Sequence, residues 1–600
     1  MSRRICVLYG SQTGTAQDVA ELIWRESKKF GLTGPVLPLD EYNIKDLIKE
    51  ELVIFVCSTT GQGEEPDNMK QFWRFLLRKD LPQSSLTELN FAVLGLGDSS
   101  YAKFNYTAKK LHKRLLQLSA KPLTAIGLCD DQHDFGPSAV YLPWLNKLWD
   151  TLKNKFNLSE LQNQPSNTWF KWKASAINED SSADVNSLQW HTSEEPAFII
   201  LEENERVTSD DHFQDTRLIS FSHDTLTWRP GDVLAVCPWN SDEDVDLLFS
   251  LFHEKDLPFG RSTVVKLSQL DEEKFIVIVH RFFDPKNCLE KINHFFSEMP
   301  LPRYYREPLS LEQAAKFIWD LKSVPNQRAF ELLALNCADE MEKDKLIELS
   351  TSEGLDAMIS YAVRPKRTIV EVFNDFPHAT SGLELNILFE IFRTIKPRQF
   401  SIASVPQSGL LQILVAIVEY KTIISKPRQG ICTNWLKGLK KGQRIFGCIQ
   451  KGTLVIPQNL AVPLIMVGPG TGVAPFRSVL LEREIFKQRG KNFLFFGCRG
   501  KLKDFYFRKD FERLEEKDVA KCFFAFSRDQ EEKIYVQHLL KEQKESIRKA
   551  IVEEGGVILI AGNSKNMPTQ VREAFAFILG SEEFIKEMIK TRRYQEETWS

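Results

Sequence analysis

Over roughly the first 150 residues, short apolar runs alternate with stretches whose apolar residues recur every three or four positions. Ile5–Tyr9, Leu52–Cys57, Phe91–Leu94 and Leu123–Gly127 are apolar enough to be strands covered on both faces. Thr15–Phe30, Asn68–Leu77, Phe104–Leu118 and Ala139–Leu152 have the period of the helices that would cover them. The alternation predicts a parallel α/β sheet. From about Asn157 to Glu195 the chain turns polar and aperiodic (NQPSN, NEDSSADVNS), which predicts a linker. Trp169, Trp172 and Trp190 suggest that parts of it dock on a neighbour.

After Pro196 the style changes. Ala197–Leu201, Arg217–Ser222, Asp232–Cys237 (beyond the turn Arg229-Pro230-Gly231) and Ile413–Val418 read as short strands of an antiparallel barrel. The chain from about Asp242 to Phe376 is mostly helical in pattern and rich in charge, and predicts an inserted helical subdomain. From Pro463 onward α/β alternation returns, with strands at Leu464–Val467, Phe493–Phe496, Cys522–Phe526 and Val557–Ile560.

A chain of 600 residues is too long for one core, and 42% hydrophobic with 26% charged residues is ordinary globular composition. A net charge of -3 leaves no basic excess to neutralise phosphates, which excludes a generic nucleic-acid binder. The 10 cysteines show neither C-x-x-C nor a His/Cys ladder, so no metal site and no disulfide framework is read, and a reducing compartment fits. No apolar run approaches bilayer length, and MSRRICVLYG enters a strand at once. Neither a signal peptide nor a membrane anchor is expected, and the cytoplasm is the expected location.

The candidate chemistry sits in glycine-punctuated loops. Ser11, Gln12, Thr13, Gly14, Thr15 and Ala16 join the first strand to the first helix. Successive N–H groups, hydroxyls and a helix N-terminus make a phosphate cradle there. No GxxxxGK sequence occurs at this loop, so it is not a nucleoside-triphosphate loop. Ser58, Thr59, Thr60 and Gly61 end the third strand of the same sheet. Leu96, Gly97, Asp98, Ser99, Ser100, Tyr101, Ala102, Lys103, Phe104 and Asn105 follow the fourth. Ligands bind at that edge where strand order reverses, so three loops meeting there point to a mononucleotide site rather than three ordinary turns. Tyr101 is the aromatic plate for an isoalloxazine ring, with Asn105 and Asp131 as polar contacts. Glu64, Glu65, Asp130 and Asp134 either give the rim a negative field or form a solvated acidic loop.

Farther on, Arg398, Gln399, Phe400 and Ser401 offer a guanidinium for a pyrophosphate, a ring for a flavin and a hydroxyl near its reactive nitrogen. Gly430, Ile431, Cys432 and Thr433 open the helix Asn434–Leu439, whose first amides suit the same pyrophosphate. Lys366, from the basic pair Lys366-Arg367, and Tyr420 are further expected contacts. GPGTG at Gly468–Gly472, with Thr471, follows a strand and precedes a helix, the context of a dinucleotide loop. Ser527, Arg528, Lys533, Ile534, Tyr535, Val536 and Gln537 cluster beyond another strand. Two cations with hydroxyls there match a 2′-phosphate and favour NADPH over NADH. The chain ends Glu597-Thr598-Trp599-Ser600, where a tryptophan is ordinarily a frayed surface residue.

Together these motifs resemble those of the diflavin reductases over nearly the whole chain. The resemblance implies an α/β multidomain protein: a flavodoxin-like doubly wound FMN domain at 1–152, a linker at 153–195, an antiparallel β-barrel FAD domain at 196–458 with a helical connecting insert at about 242–376, and a Rossmann-like NADPH domain at 459–600. It implies FMN, FAD and NADPH as cofactors, with electrons passing from NADPH to FAD, to FMN and to an external acceptor. It also implies that Trp599 covers the FAD ring until nicotinamide displaces it, and that Ser401 and Glu597 assist the hydride step. TTGQGEEPDNMKQFWRF, LGLGDSSYAKFN and RQFSIAS resemble the cytosolic branch of the family that serves iron–sulfur protein assembly. That likeness implies a monomer and an iron–sulfur acceptor of the anamorsin type. A heme protein or other redox acceptor, and a scaffold that has lost transfer, are the alternatives. Thr60 stands where the membrane-bound relative has a second flavin-stacking tyrosine, Phe400 where it has a tyrosine against FAD, and Ala561 where it has a cysteine near the nicotinamide. FMN is therefore expected to be stacked on one side only.

Overall fold

A computed structural model describes residues 3–61, 63–101, 103–161, 170–178, 184, 188, 196–269, 299–487 and 491–599. Ala102, Trp169 and Trp190 lie outside the described residues. The chain divides into two compact units, the first holding residues 1–188 and 240–395, the second mainly 189–239 and 396–600.

In the first unit, β1 (Cys6–Gly10), β2 (Val36–Pro38), β3 (Leu52–Ser58), β4 (Asn90–Gly97) and β5 (Lys121–Pro122) form a parallel sheet in the order β2-β1-β3-β4-β5, and β6 (Gly127–Asp130) also pairs with β4. This is the doubly wound order whose switch point lies between β1 and β3. The run Leu123–Gly127, expected as one strand, is instead mostly the gap between β5 and β6, and only Gly127 joins β6. Pro122 has no N–H to extend the ladder, and the Ala125 carbonyl accepts the Trp144 indole N–H at 2.9 Å. The edge strand β2 escapes the periodicity because two of its residues are apolar and the third is Pro38.

Helices of residues 240–395 pack on this sheet's helices. One apolar core joins Trp24, Leu145 and Leu148 with Phe249, Trp319, Phe330 and Phe389. The helical run continues past Phe376 through Leu385–Ile391. Within the stretch read as linker, Lys173–Ile177 is a strand paired with Val264–Ser268, and buried Trp172 packs edge-on against Tyr305 at 5.4 Å.

The second unit has two sheets. Six antiparallel strands run in the order Arg398–Ser401, Val233–Val236, Arg444–Gln450, Ala197–Arg206, Thr216–His223, Leu411–Ala416. The expected barrel is not closed by a ladder: the two edge strands meet at the single bridge Ile402–Ile413 and the Ala403 N–H to Gln412 carbonyl bond of 2.8 Å. The parallel sheet runs Lys521–Phe526, Asn492–Cys498, Leu464–Val467, Val557–Asn563, Tyr594–Trp599. Its last strand is the C-terminus, so Trp599 is held in a sheet rather than frayed. Among the described residues no helix is long and apolar enough to cross a membrane.

Candidate functional site

Three loops meet at the C-terminal edge of the first sheet. Gly14 takes φ 106 just before helix Thr15–Lys28, and among the described residues no side chain caps that helix, leaving its first amides for an anion. The loop is held from below by Asn68, whose Oδ1 accepts the Ser11 N–H at 2.9 Å, and by the Gln12–Asp67 side-chain bond of 2.8 Å. Neither Asp67 nor Asn68 was signalled, since their partners lie more than 50 residues earlier. The Thr59 N–H reaches the Leu96 carbonyl at 3.0 Å, tying the second loop to the third. Thr60 and Glu64 pair in a tight reversal whose Gly63 backbone abuts Lys103.

Asn105 is fully buried beneath the third loop and donates to the Cys129 carbonyl at 2.9 Å; its carboxamide fills the space that a side chain at Gly95 or Gly97 would need. Tyr101 is partly exposed on that loop. His133 and the exposed Phe135, with rings 5.8 Å apart, stand at the same edge after β6, an aromatic pair that sequence reasoning missed.

The rim carboxylates differ. Burial works against the charge of Asp130, yet bonds from Ser99 and the Gln132 N–H hold it below the usual carboxylate range. Burial and the neighbouring charge of Asp98 push Asp131 up, while Lys366 draws it down. The structure thus places Lys366 where its charge bears on Asp131, in the same unit as these loops. Glu65 is engaged by Lys110.

In the second unit Arg398, Gln399, Phe400 and Ser401 lie opposite Val236, Ala235, Leu234 and Val233. Phe400 packs on the core of the antiparallel sheet, and Gln399 donates to the Gln450 side-chain carbonyl at 2.6 Å. Burial pushes the Cys432 thiol up to about 12, with the Arg398 charge pulling the other way. Arg398 therefore stands near the start of helix Ile431–Gly438, which begins at Gly430 with no side-chain cap among the described residues. The Arg398 guanidinium donates to the Lys396 carbonyl at 2.8 Å; a guanidinium and uncapped helix amides are the kinds of donor a pyrophosphate needs. The Thr433 hydroxyl is committed to the Val418 N–H at 2.9 Å. Tyr420 is exposed on the short strand Glu419–Tyr420.

In the parallel sheet, Gly470 has φ 59 and open space around it, next to Thr471. Gly472 packs under Ala561. Ser527 is buried at the end of its strand, while Arg528, Lys533 and Tyr535 are exposed beyond it. Ile534 and Val536 pack inward, and buried Gln537 bonds Gln570 at 3.1 Å. Glu597 pairs in register with Ala561, and its carboxylate accepts the Thr453 hydroxyl at 3.0 Å. Trp599 pairs with Asn563, its carbonyl accepting the Ser564 N–H at 2.9 Å.

One cluster outside these sites has ligand-type atoms within 4.8 Å of one another: Asp339, Glu342 and His378. Asp339 caps helix Glu340–Ser350, and Glu342 accepts the N–H groups of His378 and Ala379.

An uncapped helix start after one sheet, a second uncapped helix near Arg398 and the open loop at Gly470 on a third sheet suit the nucleotide ligands of a two-flavin reductase fed by a nicotinamide nucleotide. Residues 7–144 match the flavodoxin family, 191–435 the FAD binding domain family and 466–573 the oxidoreductase NAD-binding domain family. Proteins named NADPH-dependent diflavin oxidoreductase 1 are 41% identical in Xenopus laevis (100% of both chains), 41% in Danio rerio (99% of both) and 34% in Schizosaccharomyces pombe (99% of both). The chain belongs to the NADPH-dependent diflavin oxidoreductases. It is an oxidoreductase whose cofactors are FMN, FAD and NADPH.

Proposed function

We propose that this oxidoreductase delivers electrons from FMN to an iron–sulfur protein of the anamorsin type, acting as a monomer in cytoplasmic iron–sulfur protein assembly. The observation that carries the reading is the rim beside the FMN loops, where the charges of Asp98 and Asp130 lie close enough to the Asp131 carboxyl to push it up. Such a rim suits an acceptor with a basic face. The domain limits given above belong to the same reading, as do the roles of Ser401 and Glu597 at the hydride step and of Trp599 over the FAD ring. The test is anaerobic NADPH-driven reduction of the purified iron–sulfur protein, followed by loss of its visible absorbance. Reduction should outpace that of a heme protein at equal concentration. A preference for the heme protein would replace this acceptor with the other.

A further inference from the structure

We propose that Arg477 is a positioning residue for hydride transfer, clamping the nicotinamide loop to the strand that carries Ser401. Arg477 lies in the helix Ala474–Ile485, which continues directly from the loop Gly470–Val473. Its guanidinium leaves the parallel sheet and reaches the antiparallel one. One terminal nitrogen donates to the Ala403 carbonyl at 2.8 Å and to Gln412 Oε1 at 2.8 Å, Nε donates to Asp510 at 2.7 Å, and the planar group lies 4.5 Å from the Phe507 ring. The next residue repeats the link: the Ser478 hydroxyl donates to the Ser404 carbonyl at 2.7 Å, which also accepts the Trp228 indole N–H at 2.9 Å. Ala403 and Ser404 follow Ser401 by two and three positions, and both are fully buried.

The backbone meant for nicotinamide and the backbone meant for the flavin ring are thus joined by a few covalent bonds and charge-assisted hydrogen bonds. A planar fork makes this link and a lysine cannot. Reacting atoms held by two sheets depend on the distance between those sheets, and small misplacements are costly in rate. The proposal rests on the assignment of Ser401 and the glycine loop to the two rings.

Three measurements on Arg477→Lys test it, with Ser401→Ala in parallel. The NADPH-dependent FAD reduction rate should fall roughly 10- to 100-fold while 2′,5′-ADP affinity by calorimetry stays within about twofold. Hydrogen exchange should quicken at Ala403–Ser404 and Gly470–Val473 together in the protein without nucleotide. Gln412→Leu, which removes one acceptor and keeps the arginine, should shift rate and exchange in the same direction, and serves if Arg477→Lys fails to fold. An unchanged reduction rate in a folded variant, or a loss of 2′,5′-ADP affinity matching the loss of rate, would overturn the clamp. Should Arg477→Lys have no effect while Ser401→Ala slows reduction, the clamp fails and the site assignment stands. Should Ser401→Ala have none, that assignment fails and the clamp with it.

Discussion

Gly472 packs directly against Ala561: a Cβ on Gly472 would lie 2.0 Å from the Ala561 carbonyl oxygen. Real side chains do not approach backbone so closely, so Gly472→Ala must move the dinucleotide loop or the strand Val557–Asn563. Overpacking of this kind costs about 1–3 kcal/mol. The expected outcome is a lower Tm and weaker 2′,5′-ADP binding; full affinity in the variant would show that the loop tolerates displacement.

Arg528 is exposed just beyond a strand end, where its guanidinium donates to the carbonyl of its neighbour Ser527 at 3.3 Å. Removing a charge-assisted contact of about 1.5–3 kcal/mol should raise the KM for NADPH more than tenfold and leave that for NADH nearly unchanged in Arg528→Ala. Steady-state kinetics with both nucleotides decide this, and equal losses would assign Arg528 to packing.

Trp599 is held in its strand through its carbonyl, so Trp599→Ala alters the ring without releasing the strand. If the ring competes with nicotinamide, its removal should improve NADH use more than NADPH use, because NADH has less binding energy for displacement. Stopped-flow reduction by each nucleotide gives the ratio. No change in that ratio would make Trp599 a packing residue.

Of the rim carboxylates, Glu65 is engaged by Lys110 and Asp130 accepts the Ser99 N–H at 2.9 Å, and the test changes Glu64, Glu65, Asp130 and Asp134 together. Their conversion to amides should slow reduction of the protein acceptor several-fold at low salt and leave ferricyanide reduction intact. A parallel fall in both reactions would mean that these groups serve the FMN site itself.

Lys171 and Glu21 form a buried pair 3.2 Å apart. Burial opposes the Glu21 charge, but Lys171 and Arg25 hold its carboxyl below the usual value. A depressed carboxyl stabilises the fold above its unfolded pKa, near about 4.3, and that contribution is lost as pH falls through the lower folded value. Lys171→Met should therefore lower Tm most near neutrality, with parent and variant converging as pH drops below about 4. A Tm difference independent of pH would point to packing alone.

The phosphate loops were legible because each places glycines and hydroxyls at a strand end, where backbone geometry makes such residues nearly obligatory. The C-terminal strand was not, since Gln595-Glu596-Glu597-Thr598 has no apolar alternation: it pairs along one edge only, and its side chains bond Thr453 and Val455. Arg477 was not singled out, because its partner Ala403 lies 74 residues earlier and nothing local announces it. Lys366 was expected as a cofactor contact from its basic pair alone, and only tertiary packing brings its charge to Asp131. The barrel expectation came from strand style, which cannot tell a closed ladder from a single bridge.

Arg25 on the first helix donates to Glu390 at 2.8 Å, both side chains nearly fully buried, inside a core that residues from the beginning and the middle of the chain build together. Breaking such a pair leaves a charge stranded in apolar surroundings, at about 3–5 kcal/mol. The flavodoxin fold is in this sense not a self-sufficient module that the rest of the chain carries as cargo. A protease cut that freed residues 1–152 would uncover an oily face and take from Arg25 its Glu390 partner. In calorimetry the flavodoxin fold and the helices should melt as one transition, so damage to either, such as loss of Glu390, would be felt as release of FMN.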